Sequence, residues 1–308
     1  MATISPPQPG LGARFVHVTN QWRFYVCSAT LARVLQKVCP MPNPRPTEAP
    51  NEHSWKTERW WLVLKGIAAL NIVAWSITAA MVDTSDTMVC AHLALSAVYV
   101  TACAFRSVRP RVDLERTALV DHWTSSMVLG RSAATVAEVS FATQIALFVY
   151  QASMASGTEA FSGLFPILIV GALALAQVFC WWSVVTLSHL GHAIEESLWG
   201  VTFAAVTVAL LVMIPNLTGA LWWASLVAIP GCVAYVVFMF TVDVPMYVRR
   251  WRTGSGAQLG IVEGFRDARD RREVTRSWTV WQPEVAWMTG YFSCAVWSSI
   301  GLVHLAGM

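Results

Sequence analysis

Ionisable side chains set inside long apolar runs are the residues of this sequence best placed to do chemistry, because a charge held away from water is costly and must be paired or used. The densest group is Ser188-His-Leu-Gly-His-Ala-Ile-Glu-Glu-Ser197. On a helix, His189, His192 and Glu196 stand at i, i+3 and i+7, so two imidazoles and a carboxylate can share one face. Such a set makes an adequate ligand shell for Zn or non-haem Fe, with positions left open for water or substrate. The spacing is not HExxH, and the histidine boxes of membrane desaturases and hydroxylases are absent. Two other readings compete: a polar interfacial turn whose histidines meet lipid head groups, and a cluster that handles protons.

A second group lies on Asp121 to Gln144, where Arg131, Thr135 and Glu138 share a face beside the small residues Gly130, Ser132, Ala133, Ala134 and Ala137. At a rise of 1.5 Å per residue, Arg131 and Glu138 are separated by about 10 Å along the axis. Each is therefore expected to find its partner on another helix, and for Arg131 the candidates are Glu195, Glu196, Asp243 and Glu284. In an enzyme reading, Glu138 is an acid/base or a ligand, Arg131 holds an anionic group, and His122 completes the site. His92 and His304 fall near the opposite ends of their runs.

The elements that carry these residues follow from composition. Charged residues make up 13 % of the 308 and hydrophobic ones 56 %, with a mean hydropathy of +0.51. Those figures exclude a soluble globule, and the wealth of Trp, Phe and Val excludes a disordered chain. What remains is an all-α polytopic membrane bundle. Runs of about 20 apolar residues, the length that crosses a bilayer, predict seven spans: 60–82, 88–105, 129–154 with a helical lead-in from Leu114, 161–187, 198–214, 220–248 and 283–306. The seven cysteines show no CxxC or zinc-type spacing, and those within spans read as small hydrophobes.

Orientation follows from charge. Of the 21 Lys and Arg, 19 fall before the first span, between the second and third, or between the sixth and seventh. The opposite loops carry Asp83, Asp86 and Glu159 and no basic residue. The positive-inside rule then puts the N-terminus in the cytoplasm or an organellar matrix and the C-terminus on the other face. Residues 1–57 form a basic segment, read as an interfacial amphipathic helix or a targeting peptide, and 58–308 form the seven-span domain, with a basic loop at 249–281 read as a solvated helix. A net charge of +3 gives no attraction for nucleic acid. The expected partners are membrane lipids, a hydrophobic small-molecule substrate and other membrane subunits. Three functions fit: a membrane-embedded enzyme with a cytoplasm-facing His/carboxylate site, a transporter or proton/ion pathway using Arg131, Glu138 and Glu196, and a non-catalytic subunit of a membrane complex.

Overall fold

The computed structural model describes residues 54–254 and 258–307, so the amphipathic helix or targeting peptide expected before residue 54 lies outside the described residues. The chain folds as a bundle of long helices with very little sheet. Helix α1 spans Ser54–Met81, α2 Thr87–Val108, α3 Met127–Ser156, α4 Leu164–Thr186 and α5 His189–Met213. Helix α6, Gly219–Phe238, continues through a π turn at Met239–Asp243 into α7, Val244–Thr253. After α8, Ile261–Asp270, the last stretch runs as α9, Trp278–Gly290, a π turn at Tyr291–Ala295, and α10, Val296–Ala306.

Six stretches, α1 to α5 and the α6–α7 unit, are long and apolar enough to cross a membrane. Their outward faces are studded with exposed aliphatic side chains such as Leu62, Ile77, Leu168, Val208 and Leu211, a surface that belongs in lipid. The chain is a multi-pass integral membrane protein. The expected seventh span, α9 to α10, is not among these six. It starts beside Arg276, which pairs with Glu58 at 2.9 Å, and ends where Val303 and Ala306 pack on Val89 at the far end.

Two apolar cores hold the bundle. One joins α3, α4, α5 and α6 through residues such as Phe148, Leu173, Val206 and Leu210; the other joins α1, α2 and α9–α10 through Leu64, Tyr99, Trp281 and Phe292. Asn71 extends the second by donating to the Phe292 carbonyl at 2.7 Å, an acceptor that the π turn turns inward.

Three expectations need correction. The lead-in from Leu114 is not helical: it is a hairpin of β1, Arg111–Val112, and β2, Thr117–Ala118, followed by a 3₁₀ turn at Trp123–Ser125. Span five begins at His189, nine residues before the expected start, because intrahelical bonds do not require apolar side chains. The basic loop is also not wholly solvated. Strand β3, Glu273–Val274, pairs parallel with β2, and Gly264 and Ala268 of α8 are buried, Gly264 so close to the Val185 carbonyl that a Cβ would stand 1.9 Å from it. Arg116 latches this cap. Fully buried, it donates to Asp267 at 2.8 Å, to the Val184 carbonyl at 2.9 Å and to the Asp113 carbonyl at 2.7 Å.

The charge pattern makes the sidedness testable. With the Arg-rich end inward, an impermeant thiol reagent is expected to label a single cysteine placed at Asp86 in intact cells and one placed at Arg269 only after permeabilisation. Labelling at Arg269 from outside would invert the topology.

Candidate functional site

The polar side chains of α3, α4, α5 and α6–α7 meet in the Arg-rich half of the bundle. Helices α4 and α5 form a tight antiparallel pair because Leu187 adopts a left-handed backbone, φ 60°, and Ser183 Oγ donates to the Ser188 carbonyl at 2.6 Å. Gly191 then lets α5 lie directly on α4. A Cβ there would stand 2.7 Å from the Phe179 carbonyl oxygen and 2.8 Å from Ser183 Cβ. On the other flank of α5, Gly200 admits the ring of Phe240, which draws the π turn and Asp243 against the helix.

Arg131 Nη2 donates to Glu138 Oε1 at 2.8 Å and to Gln177 Oε1 at 2.9 Å, while Gln177 Nε2 donates to Glu138 Oε2 at 2.6 Å. Thr135, between them on α3, donates to the same Gln177 oxygen at 3.2 Å and accepts from Trp181 Nε1 at 3.0 Å. The expectation that Arg131 and Glu138 are too far apart to bond is thus overturned. Axial separation of backbones is not separation of charges: a helical side chain leans toward the N-terminus, so Glu138 leans back toward Arg131, and the long Arg stem covers the rest. Glu195, Glu196, Asp243 and Glu284 are not its hydrogen-bonded partners.

One turn along α4 a second cluster begins. His192 Nδ1 lies 2.6 Å from Glu195 Oε2 and 3.9 Å from Cys180 Sγ, and the ligand atoms of the three residues all fall within 4.8 Å of one another. Cys180 is fully buried and Glu195 nearly so. A nucleophile–base–carboxylate relay requires both ring nitrogens, one facing each neighbour. Here thiol and carboxylate converge on the same nitrogen, which is the arrangement of donors around a common proton or cation. Thiolate, imidazole and carboxylate are a fitting donor set for zinc. The edge of a tetrahedral zinc site is about 3.3 Å, so the His192–Glu195 pair would have to part slightly to admit the ion.

His189, His192 and Glu196 therefore do not form one ligand shell. His189 and Glu196 are two turns apart, while Glu195 sits one turn from His192 and α4 supplies the third donor. The His189 ring lies 6.2 Å from that of Tyr247, with Nδ1 buried and unpartnered. Glu196, 100° around the helix from Glu195, turns to the flank that faces α6–α7 and shares its surroundings with Asp243, Tyr235 and Tyr247. His122 is outside the site altogether. It is exposed, and its Nδ1 bonds Thr124 Oγ1 at 2.7 Å and caps the 3₁₀ turn.

Sequence reasoning missed Gln177, Cys180 and Tyr247. Gln177 carried a readable signal, a lone amide in a strongly apolar span; Cys180 stands three residues further on, one helical turn, and passed as a small hydrophobe. No protein-family model, curated protein or solved structure matches the chain.

Proposed function

We propose that the protein takes up and releases a cation, in the first place a proton, at the carboxylates gathered in the Arg-rich half, and serves as a proton or ion pathway. Charge balance carries this reading. Glu138, Glu195, Glu196 and Asp243 gather on α3, α5 and the α6–α7 π turn, while the compensating cations among the described residues are Arg131 within and Arg250, half exposed at the rim and itself 3.6 Å from Glu115. Even a protonated His192 leaves one negative charge over, and an uncompensated charge at this depth is expensive. A proton or cation that comes and goes relieves it.

Infrared difference spectra of the purified protein recorded across a pH titration test the reading. The expected result is the carbonyl stretch of a buried carboxylic acid that disappears as pH rises and is lost in Glu196→Gln or Asp243→Asn. If the wild type shows no such band at any pH where it stays folded, the reading fails.

The convergence on His192 Nδ1 favours a second reading: a membrane-embedded enzyme whose zinc-class ion is held by Cys180, His192 and Glu195. It asks Arg131 to bind an anionic substrate, although Arg131 is already committed to Glu138 and Gln177. Clefts of about 400 Å³ lie elsewhere, against Asp83 and His304 and against Pro245 and Arg249. Near-stoichiometric zinc or iron in purified protein, lost in Cys180→Ser and His192→Ala, would shift the conclusion to this reading.

A further inference from the structure

The half of the bundle away from the Arg-rich end holds polar groups that the carboxylate cluster does not use. On α2, His92, Ser96 and Tyr99 stand at i, i+4 and i+7, all fully buried on one face. Among the described residues, neither ring nitrogen of His92 has a hydrogen-bond partner, nor do Ser96 Oγ and the Tyr99 hydroxyl. The same is true of the Tyr291 hydroxyl, which comes from the π turn between α9 and α10 and whose ring lies 6.2 Å from that of Tyr99.

The neighbours that would ordinarily satisfy them are engaged with one another. Gln144 of α3 donates to the carbonyls of His92 and Ser299, both at 3.1 Å, and Ser299 Oγ donates to Gln144 Oε1 at 2.6 Å. A buried imidazole and three buried hydroxyls cannot all go without partners at tolerable cost, and in folded proteins such contiguous sites are filled by water.

The row has two ends. At the inner one, the Tyr99 ring lies 4.9 Å from that of Phe141, which stands one turn along α3 from Glu138. At the outer one, Val89, one turn above His92, and Val303 floor a cleft of 410 Å³ that Asp83, Asp86 and His304 also line. The Ser85 backbone N–H, 2.9 Å from Asp83, holds that carboxyl below the usual carboxylate range and keeps the cleft mouth anionic.

We propose that His92, Ser96, Tyr99 and Tyr291, with the waters that complete their hydrogen bonds, form the outer limb of a proton path that runs from the acidic cleft to Glu138. The proposal rests on the ion-handling reading above. Each step is a one-for-one exchange: imidazole accepts a proton on one nitrogen and releases one from the other, and each hydroxyl or water gives up one proton as it gains one. Glu138, bonded to Arg131 and Gln177, is where this limb meets the carboxylate cluster.

Full-length protein in vesicles with a trapped pH indicator, under an imposed pH gradient with the membrane potential clamped, tests it. Wild-type flux is expected to exceed that of protein-free vesicles. His92→Leu and Tyr99→Phe should bring it down to the protein-free rate while keeping the carboxylic acid band. The Tyr99→Phe ring can still stack on Phe141, from which the tyrosine ring is 4.9 Å away, and Tyr291→Phe replaces either variant should it fail to fold. Undiminished flux in these variants overturns the proposal. So does wild-type flux no greater than that of empty vesicles while the acid band is present, an outcome that leaves the carboxylate reading standing. Absence of both flux and band removes the two together.

Discussion

Glu138→Gln is expected to destabilise the folded protein by about 3–5 kcal/mol, the range found when one member of a buried ion pair is removed and the other stays charged. The geometry supports the upper part of that range. Arg131 is buried, and among the described residues its one ionic partner within hydrogen-bond distance is Glu138, at 2.8 Å. Gln177 cannot substitute, because its oxygen already accepts from Arg131 and Thr135 and its amide is spent on Glu138. Replacing both charged residues by methionine should recover most of the loss, since no charge is then stranded. Unfolding in mixed micelles of wild type, Glu138→Met, Arg131→Met and the double methionine variant reads the coupling directly, with Glu138→Gln as the nearly isosteric control. Single variants as stable as the wild type would mean that the pair is solvated, and the charge-balance argument would lose its foundation.

The second large effect is expected at Gly191. Glycine inside a helix is ordinarily a weak spot, but the value of Gly191 lies in what it lacks. A β-carbon would collide with the Phe179 carbonyl and with Ser183 on α4, both of them stiffly held. Gly191→Val should therefore force α4 and α5 apart next to Cys180, His192 and Glu195, at about 1–3 kcal/mol for overpacking. In a background freed of the other cysteines, Cys180, now fully buried, should become reactive toward a maleimide. The buried acid band should weaken as water reaches the carboxylates. A thiol that stays protected in Gly191→Val would show that the two helices do not depend on this contact for their spacing.

The sequence made some of this plain and hid the rest for definable reasons. Span ends fell within a few residues where apolar runs were uninterrupted: α1 ends at Met81 against an expected 82, and α4 at Thr186 against 187. Hydropathy failed where the site begins, because His189, His192, Glu195 and Glu196 depress the apolar signal of a helix whose backbone continues unchanged through them. It could not foresee β2 beside β3, two-residue strands far apart in the chain. Within the site, helical periodicity put Arg131 and Glu138 on one face but assigned them partners on other helices, and it grouped His192 with His189 and Glu196 where the structure pairs it with Glu195. Which carboxylate faced which helix, and the arrival of Gln177 and Cys180, depended on how α4 lies on α3 and α5, information that no single helix contains.

The latch at Arg116 has a temporal meaning. Arg116 and Asp267 are separated by 151 residues, and β2 receives β3 only after the intervening spans have been made. Membrane helices enter the bilayer as the chain emerges, so for most of synthesis this guanidinium has neither Asp267 nor β3 and must stay in water. The entropic cost of closing so long a loop grows only slowly with its length, and the hydrogen bonds of Arg116 to Asp267 and the Val184 carbonyl help to hold it once closed. Burial of Arg116 is thus an event of late biogenesis: it distinguishes a finished chain, with α8 docked beneath α4, from an inserted but incomplete one.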